Sequence, residues 1–110
     1  MKIRDILSKD YQLLTEQHTA TISYKGCYQT DLLSAAIKSA DVGNLLITII
    51  SSLNTVALAM MIDLSGVIIT EEKKVSKEMI ERANQENIAL ISTHLKSHEV
   101  IIDLYQRGLL

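Results

Sequence analysis

The sequence predicts one α/β domain with a mainly parallel central sheet and helices on both faces. Its 110 residues, 47% of them apolar, suffice for a single core. The stretch Leu45–Thr70 is typical of a strand, a polar turn, a buried helix, a glycine stop and a second strand. From Leu45 onward, strand patterns alternate with helix patterns, as in a parallel sheet with right-handed crossovers. We therefore assign residues 1–110 to one compact domain.

The N-terminal part predicts a short helix, two strands and a longer helix. Apolar residues at helical spacing indicate an amphipathic helix over residues 3–8. Aromatic and β-branched residues indicate strands at Tyr11–Thr15 and Ile22–Tyr28. A helix should begin at Thr30 or Asp31, because either side-chain oxygen can accept from the free N–H groups of a first turn.

The rest of the chain predicts three further strands, each followed by a helix. Apolar runs place the strands at Leu45–Ile50, Val67–Ile69 and Ile88–Ile91. Ser76 is the expected N-cap of the helix after the second of them, and Ser97 that of the last helix.

Composition disfavours several classes of function and location. Eleven basic and thirteen acidic residues give a net charge of −2 with no charged block, so neither nucleic acid nor a membrane surface is an expected partner. The uncharged stretch Val42–Ile62 is long enough to span a bilayer, but the polar run Ser51–Thr55 interrupts it. The lone Cys27 suits a reducing compartment, and the N-terminus lacks the apolar centre of a signal peptide. We expect a cytoplasmic protein.

The chain lacks the motifs that carry common chemistry. It has no G-x-x-x-x-G-K-[ST] phosphate loop, no G-x-G-x-x-G and only four scattered glycines. His94 and His98 lack an acidic or sulfur partner at metal spacing, and Cys27 has no assignable base. No catalytic residue, metal or cofactor is therefore expected.

Polar residues at the carboxyl ends of the predicted strands form a candidate ligand site. Ligands of open α/β sheets bind at that edge, beside the free N–H groups of helix N-termini. Hydroxyls, amides and a histidine there can hold a phosphate or another small polar ligand. The same residue types are the ordinary residues of helix caps, so capping stays open as the alternative for Ser51, Ser52 and Asn54. The candidate residues are Thr48, Ser51, Ser52, Asn54, Thr70, Thr93 and His94.

The helix after the central strand indicates self-association. It begins near Ser52 to Asn54, ends before Gly66 and contains the seven-residue apolar run Val56–Ile62, which leaves no polar face. A short chain has few elements to cover such a helix, so we expect a homodimer. The expected interface residues are Val56, Leu58, Met60 and Met61.

The segment DLLSAAIKSADVGNLLITIISSLNTVALAMMIDLSGVIIT, followed by a charged loop, a helix and IALIST, resembles the DRTGG domain family, especially its short stand-alone bacterial members. The most telling residues are Gly26 before TDLLS, Thr48 and Asn54 at T-x-x-x-x-x-N spacing before Leu58–Ala59, and the IALIST strand end. The literal D-R-T-G-G string is absent, and the loop after Ile69 reads TEEKK where the family has glycine.

The resemblance implies a compact, usually dimeric α/β domain similar to the N-terminal domain of HPr kinase/phosphorylase. Such domains are regulatory inserts in phosphotransacetylases and in pyrophosphatases that carry CBS domains, where the family is associated with adenine-nucleotide regulation. We expect a non-catalytic regulatory or protein-interaction module. The alternative is a sensor that binds an adenine nucleotide or another anionic metabolite at the strand ends. Serine kinase activity of the HPr kinase type is not expected without a phosphate loop.

Overall fold

The computed structural model describes all 110 residues and contains one five-stranded mixed sheet. The strand order is β1-β5-β4-β3-β2, with β2 to β5 parallel and β1 antiparallel to β5. The predicted α/β class and mainly parallel sheet are therefore confirmed. The strands are β1 Tyr11–Leu13, β2 Cys27–Gln29, β3 Leu45–Thr48, β4 Gly66–Ile69 and β5 Ala89–Thr93.

Four α-helices cover both faces of the sheet. They are α1 Leu33–Ser39, α2 Leu53–Met61, α3 Lys77–Gln85 and α4 Ser97–Gln106. The chain adds β2 to β5 in one direction, and crossovers of one hand then place α1, α2 and α3 on the same face. These three helices share a core cluster with Leu46 and Val67, whereas α4 packs with Ile47 and Ile68 on the other face. None of the helices is both long and apolar enough to cross a bilayer.

The N-terminal elements differ from the predicted ones. Only a 3-10 turn, Ile3–Asp5, forms where a helix over residues 3–8 was expected. The predicted strand Ile22–Tyr28 is wrong in its first part, because the N-terminal residues bind that backbone: Ile3 N donates to Ile22 O at 3.0 Å. Gly26, with φ +66°, then redirects the chain into β2.

Two of the predicted helix N-caps are wrong and one is confirmed. Neither Thr30 nor Asp31 caps α1, whose N-cap is Leu32 without a side-chain cap bond. Ser97 is the first residue of α4 and not its N-cap. The expected cap at Ser76 is confirmed, because its hydroxyl accepts from Met79 N at 3.1 Å.

The predicted glycine stop of α2 is wrong. The helix ends through Asp63, with φ +54°, whose N–H bonds Met60 O while Leu64 N bonds Ala59 O. Gly66 lies instead in β4, where an added Cβ would come within 2.8 Å of Ala89 O. Gly66 is thus required by the close approach of β4 to β5.

Tyr24 forms hydrogen bonds with residues at both ends of the chain. Tyr24 N donates to Met1 O at 2.9 Å, and the Tyr24 hydroxyl donates to Leu109 O at 2.7 Å. Nearby, the Tyr11 hydroxyl donates to Asp103 at 2.7 Å. These bonds fix the N-terminal segment and β1 against α4.

Candidate functional site

Three buried threonines end the three central strands at one edge of the sheet, as predicted. Thr48, Thr70 and Thr93 follow or close β3, β4 and β5 and are 0%, 0% and 2% exposed. A backbone bond from Thr70 N to Thr48 O at 3.0 Å joins the first two, and Glu72 N, two residues after Thr70, donates to Thr93 O at 2.9 Å. We call this edge of the sheet the rim.

Two of the three hydroxyls are already hydrogen-bonded within the protein. The Thr48 hydroxyl donates to Asp31 Oδ1 at 3.0 Å and accepts from Ile50 N at 3.2 Å. The Thr93 hydroxyl donates to Asp10 O at 2.6 Å and accepts from Leu95 N at 3.2 Å. Both therefore organise the loops that follow their strands.

The hydroxyl of Thr70 is different, because it is buried and has no hydrogen-bond partner. A buried polar group in that state costs about 1–3 kcal/mol relative to a paired one. No other buried side-chain oxygen or nitrogen in the protein is unpaired. The rim thus contains one hydroxyl with unused capacity to donate and accept.

The polar turn before α2 does not consist of helix caps. Ser52 occupies the N-cap position without a side-chain cap bond. The Ser51 hydroxyl donates to Lys74 O at 2.5 Å and so ties this turn to the segment before α3. Asn54 lies in an apolar groove between α1 and α2. Of the three, Ser51 and Ser52 lie in the turn directly after β3, whereas Asn54 faces a different surface.

His94 lies at the rim within a small polar pocket. Its Nε2 is 2.9 Å from Asp10 Oδ1, and both side chains are partly exposed. Sequence reasoning missed Lys9 and Asp10, which reach the rim because β1 is antiparallel to β5. The pocket has a volume of about 140 Å³, and we call it the rim pocket; its lining residues are Lys9, Asp10, Gln12, Glu72, Ser92, Thr93 and His94.

The protein contains no cluster of three His, Cys, Asp or Glu side chains placed to hold a metal ion. Cys27, half-buried in β2, is a free thiol whose pKa is raised by burial. A raised pKa lowers the thiolate fraction, so this cysteine is a poor nucleophile at neutral pH. The rim offers hydrogen bonds and charge, and it holds no paired nucleophile and base.

Two of the four predicted dimer residues are corrected by the structure. Val56 and Leu58 are 0% and 4% exposed and lie in the core, because α1 and α3 flank α2 and cover it within the same chain. Met60 and Met61 are exposed, at 38% and 60%. The α1–α2 groove beside Met61 has a volume of about 270 Å³ and is lined by Leu33, Ile37, Asn54, Ala57, Leu58 and Met61.

No family model matches this chain, and no curated protein matches it in sequence. Among solved structures, it is similar to the CBS and DRTGG domains of the regulatory region of Clostridium perfringens pyrophosphatase, in complex with the activator diadenosine tetraphosphate. The TM-score is 0.70 at 22% identity, over 91% of this chain and 43% of that one. The likeness shows a fold related to that of a regulatory region, and this chain spans less than half of its length.

Proposed function

We propose that this chain is a non-catalytic regulatory module of the DRTGG type that acts through protein interaction, first of all with a second copy of itself. The proposal rests on the exposed apolar surface of α1 and α2. Soluble monomers rarely expose large contiguous apolar patches, and such patches often mark interaction sites. We call this set the α1–α2 surface; its members are Leu32, Ile37, Leu53 and Met61, between 43% and 64% exposed. Met60, at 38%, lies on the side of α2 that faces α3, where its sulfur is 3.9 Å from Arg82 Nη2.

The α1–α2 surface suits a second copy of the chain. No charged residue lines its groove, and a net charge of −2 opposes association only weakly. A two-fold axis through the groove would bring the same apolar residues from both copies together, as in other isologous dimers. The proposal includes a homodimer and a cytoplasmic location. It also includes a fold similar to that of the N-terminal domain of HPr kinase/phosphorylase.

Light scattering after size exclusion at micromolar concentration tests the interaction. We expect the mass of a dimer for the native chain and that of a monomer for Ile37→Glu, which places a charge in the groove. Ile102→Glu is the matched control, because Ile102 on α4 is equally exposed, at 52% against 51% for Ile37. A native monomer, or equal effects of both variants, would refute self-association through this surface.

A second candidate function is a small-ligand sensor at the rim, and the unpaired Thr70 hydroxyl favours it. The rim pocket lies at the same edge of the sheet, where the Lys9 ammonium and the ring of His94 can contact an anionic ligand alongside the carboxylates of Asp10 and Glu72. An adenine nucleotide is the leading class, since the similar regulatory region binds diadenosine tetraphosphate. The proposed ligand-binding residues are Thr48, Ser51, Ser52, Thr70, Thr93 and His94.

A thermal-shift titration separates the two candidates. AMP, ATP, diadenosine tetraphosphate and inorganic phosphate are the probes. At a ligand concentration of about 100 times the Kd, stability should rise by ~2.7 kcal/mol. His94→Gln should weaken the shift, whereas His98→Gln, outside the rim pocket, should leave it unchanged. An unchanged melting temperature with every probe would reject the sensor and leave the interaction module.

A further inference from the structure

The loop after β4 has a backbone conformation that its residues disfavour. Glu71 and Glu72 have φ values of +60° and +57°, and Lys73 N bonds Thr70 O at 3.4 Å. A four-residue turn with positive φ at both central residues corresponds to type I′, which favours Asn, Asp and Gly. For glutamate each such residue is disfavoured by about tenfold. We call Thr70–Lys73 the rim loop.

The rim loop also begins with the one buried hydroxyl that lacks a partner, that of Thr70. Three backbone bonds stabilise the loop against these costs: Glu71 N to Leu95 O and Glu72 N to Thr93 O, both at 2.9 Å, and the longer bond from Lys73 N to Thr70 O. The side chains of Glu71, Glu72 and Lys73 are exposed and make no hydrogen bond or ion pair. The net free energy of one backbone hydrogen bond is about as large as the cost of one glutamate at positive φ. The observed conformation is therefore only weakly preferred.

The ends of the rim loop are fixed, which limits any movement to a few residues. At its start, Thr70 N bonds Thr48 O at 3.0 Å. Just beyond it, the Ser51 hydroxyl holds Lys74 O, and the Ser76 cap begins α3. The loop can thus change conformation without disturbing β4 or α3.

The observed conformation restricts the rim pocket. Glu72 and Asp10 line that pocket together with Lys9 and His94, so the Glu72 carboxylate adds a second negative charge that disfavours an anion there. The volume of about 140 Å³ is also below the roughly 300–1,000 Å³ of most small-molecule sites. An outward movement of Glu72 would remove one wall of the pocket and one of its negative charges.

We propose that the rim loop is a two-state lid on the rim pocket. The closed state is the one described here. In the open state Glu71 and Glu72 adopt negative φ, the bonds to Leu95 and Thr93 are broken, and the pocket gains room for an anionic ligand beside Lys9 and His94, which are already exposed in the closed state. The gating of a ligand rests on the proposed sensor function, whereas the opening of the loop does not.

Amide hydrogen exchange without ligand tests the opening. The amides of Glu71 and Glu72 should exchange at least about a hundredfold faster than that of Ile68 in β4, although all are hydrogen-bonded. Glu72→Gly removes the backbone strain and should slow exchange in the loop by about tenfold, whereas Glu72→Val should accelerate it, because β-branched residues avoid positive φ. Asn87→Gly, at a positive-φ helix end with φ +54°, should leave the loop unchanged. Strand-like protection of Glu71 and Glu72 would overturn the lid.

Binding of AMP and inorganic phosphate to the same two variants tests the gating. Both variants lack the carboxylate, so they differ only in how readily the loop closes. Glu72→Val should bind about tenfold more tightly or better than Glu72→Gly, since affinity scales with the open fraction. Equal affinities would overturn the gating role. A loop that opens while neither probe binds would refute the sensor function and the gating together, and leave the two-state loop.

Discussion

Replacing Thr70 with valine should stabilise the protein. The Thr70 hydroxyl is fully buried without a partner, so valine removes an unpaired polar group and keeps the β-branched shape. Such a group costs about 1–3 kcal/mol, and we expect a gain of ~1–2 kcal/mol in the free energy of unfolding. Each kcal/mol added to the free energy of unfolding raises the melting temperature of a domain of this size by roughly 4 °C.

Thr93→Val is the matched control for this prediction. The Thr93 hydroxyl bonds Asp10 O at 2.6 Å and Leu95 N at 3.2 Å, and its loss leaves both groups unpaired. We expect a loss of about 1–3 kcal/mol. Urea unfolding followed by circular dichroism measures both variants, with unchanged m-values as the check on two-state behaviour. If Thr70→Val were as destabilising as Thr93→Val, the reasoning about the unpaired hydroxyl would be wrong.

Three further predictions concern the scaffold. Gly66→Ala should cost about 1–3 kcal/mol in urea unfolding, because its Cβ would lie 2.8 Å from Ala89 O. Burial, followed by the charge of Asp5, raises the pKa of Tyr24 to about 12 from the ordinary 10.0. The folded state then holds this proton more tightly than the unfolded state, so stability should be intact below about pH 10 and fall as the pH rises to about 12; Tyr24→Phe should flatten that fall in alkaline unfolding curves. Burial also raises the pKa of the Cys27 thiol, so its reaction with a disulfide reagent at neutral pH should be slower in the folded than in the urea-unfolded chain.

The parts of the fold that local patterns determine could be predicted. The strand at Leu45, the α2 apolar run and the Ser76 cap depend on residues close in sequence, and all three are present. The segment Ile22–Tyr28 misled the prediction, because its backbone partners are the first residues of the chain. Val56 was predicted to lie at a dimer interface, but α1 and α3 cover it within the chain, since hydrophobic periodicity does not say which helices become neighbours.

The candidate site could be predicted in position but not in detail. The rule that parallel strands end at one edge placed Thr48, Thr70 and Thr93 together. Whether each hydroxyl is free depends on distant residues: Asp31 binds Thr48, and Asp10 O binds Thr93. The conformation of the rim loop could not be predicted either, because two consecutive glutamates are not typical of a type I′ turn.

The two hydrogen bonds of Tyr24, from its backbone N–H to Met1 O and from its hydroxyl to Leu109 O, have a practical consequence. Met1 and Leu109 thus both contact one residue, and a domain whose ends lie this close together can be inserted into a surface loop of a host protein with short junctions. The same closeness makes circular permutation feasible, with a short linker joining the present ends and new ends placed in an exposed loop. A host enzyme could thus gain the rim and the α1–α2 surface in one insertion.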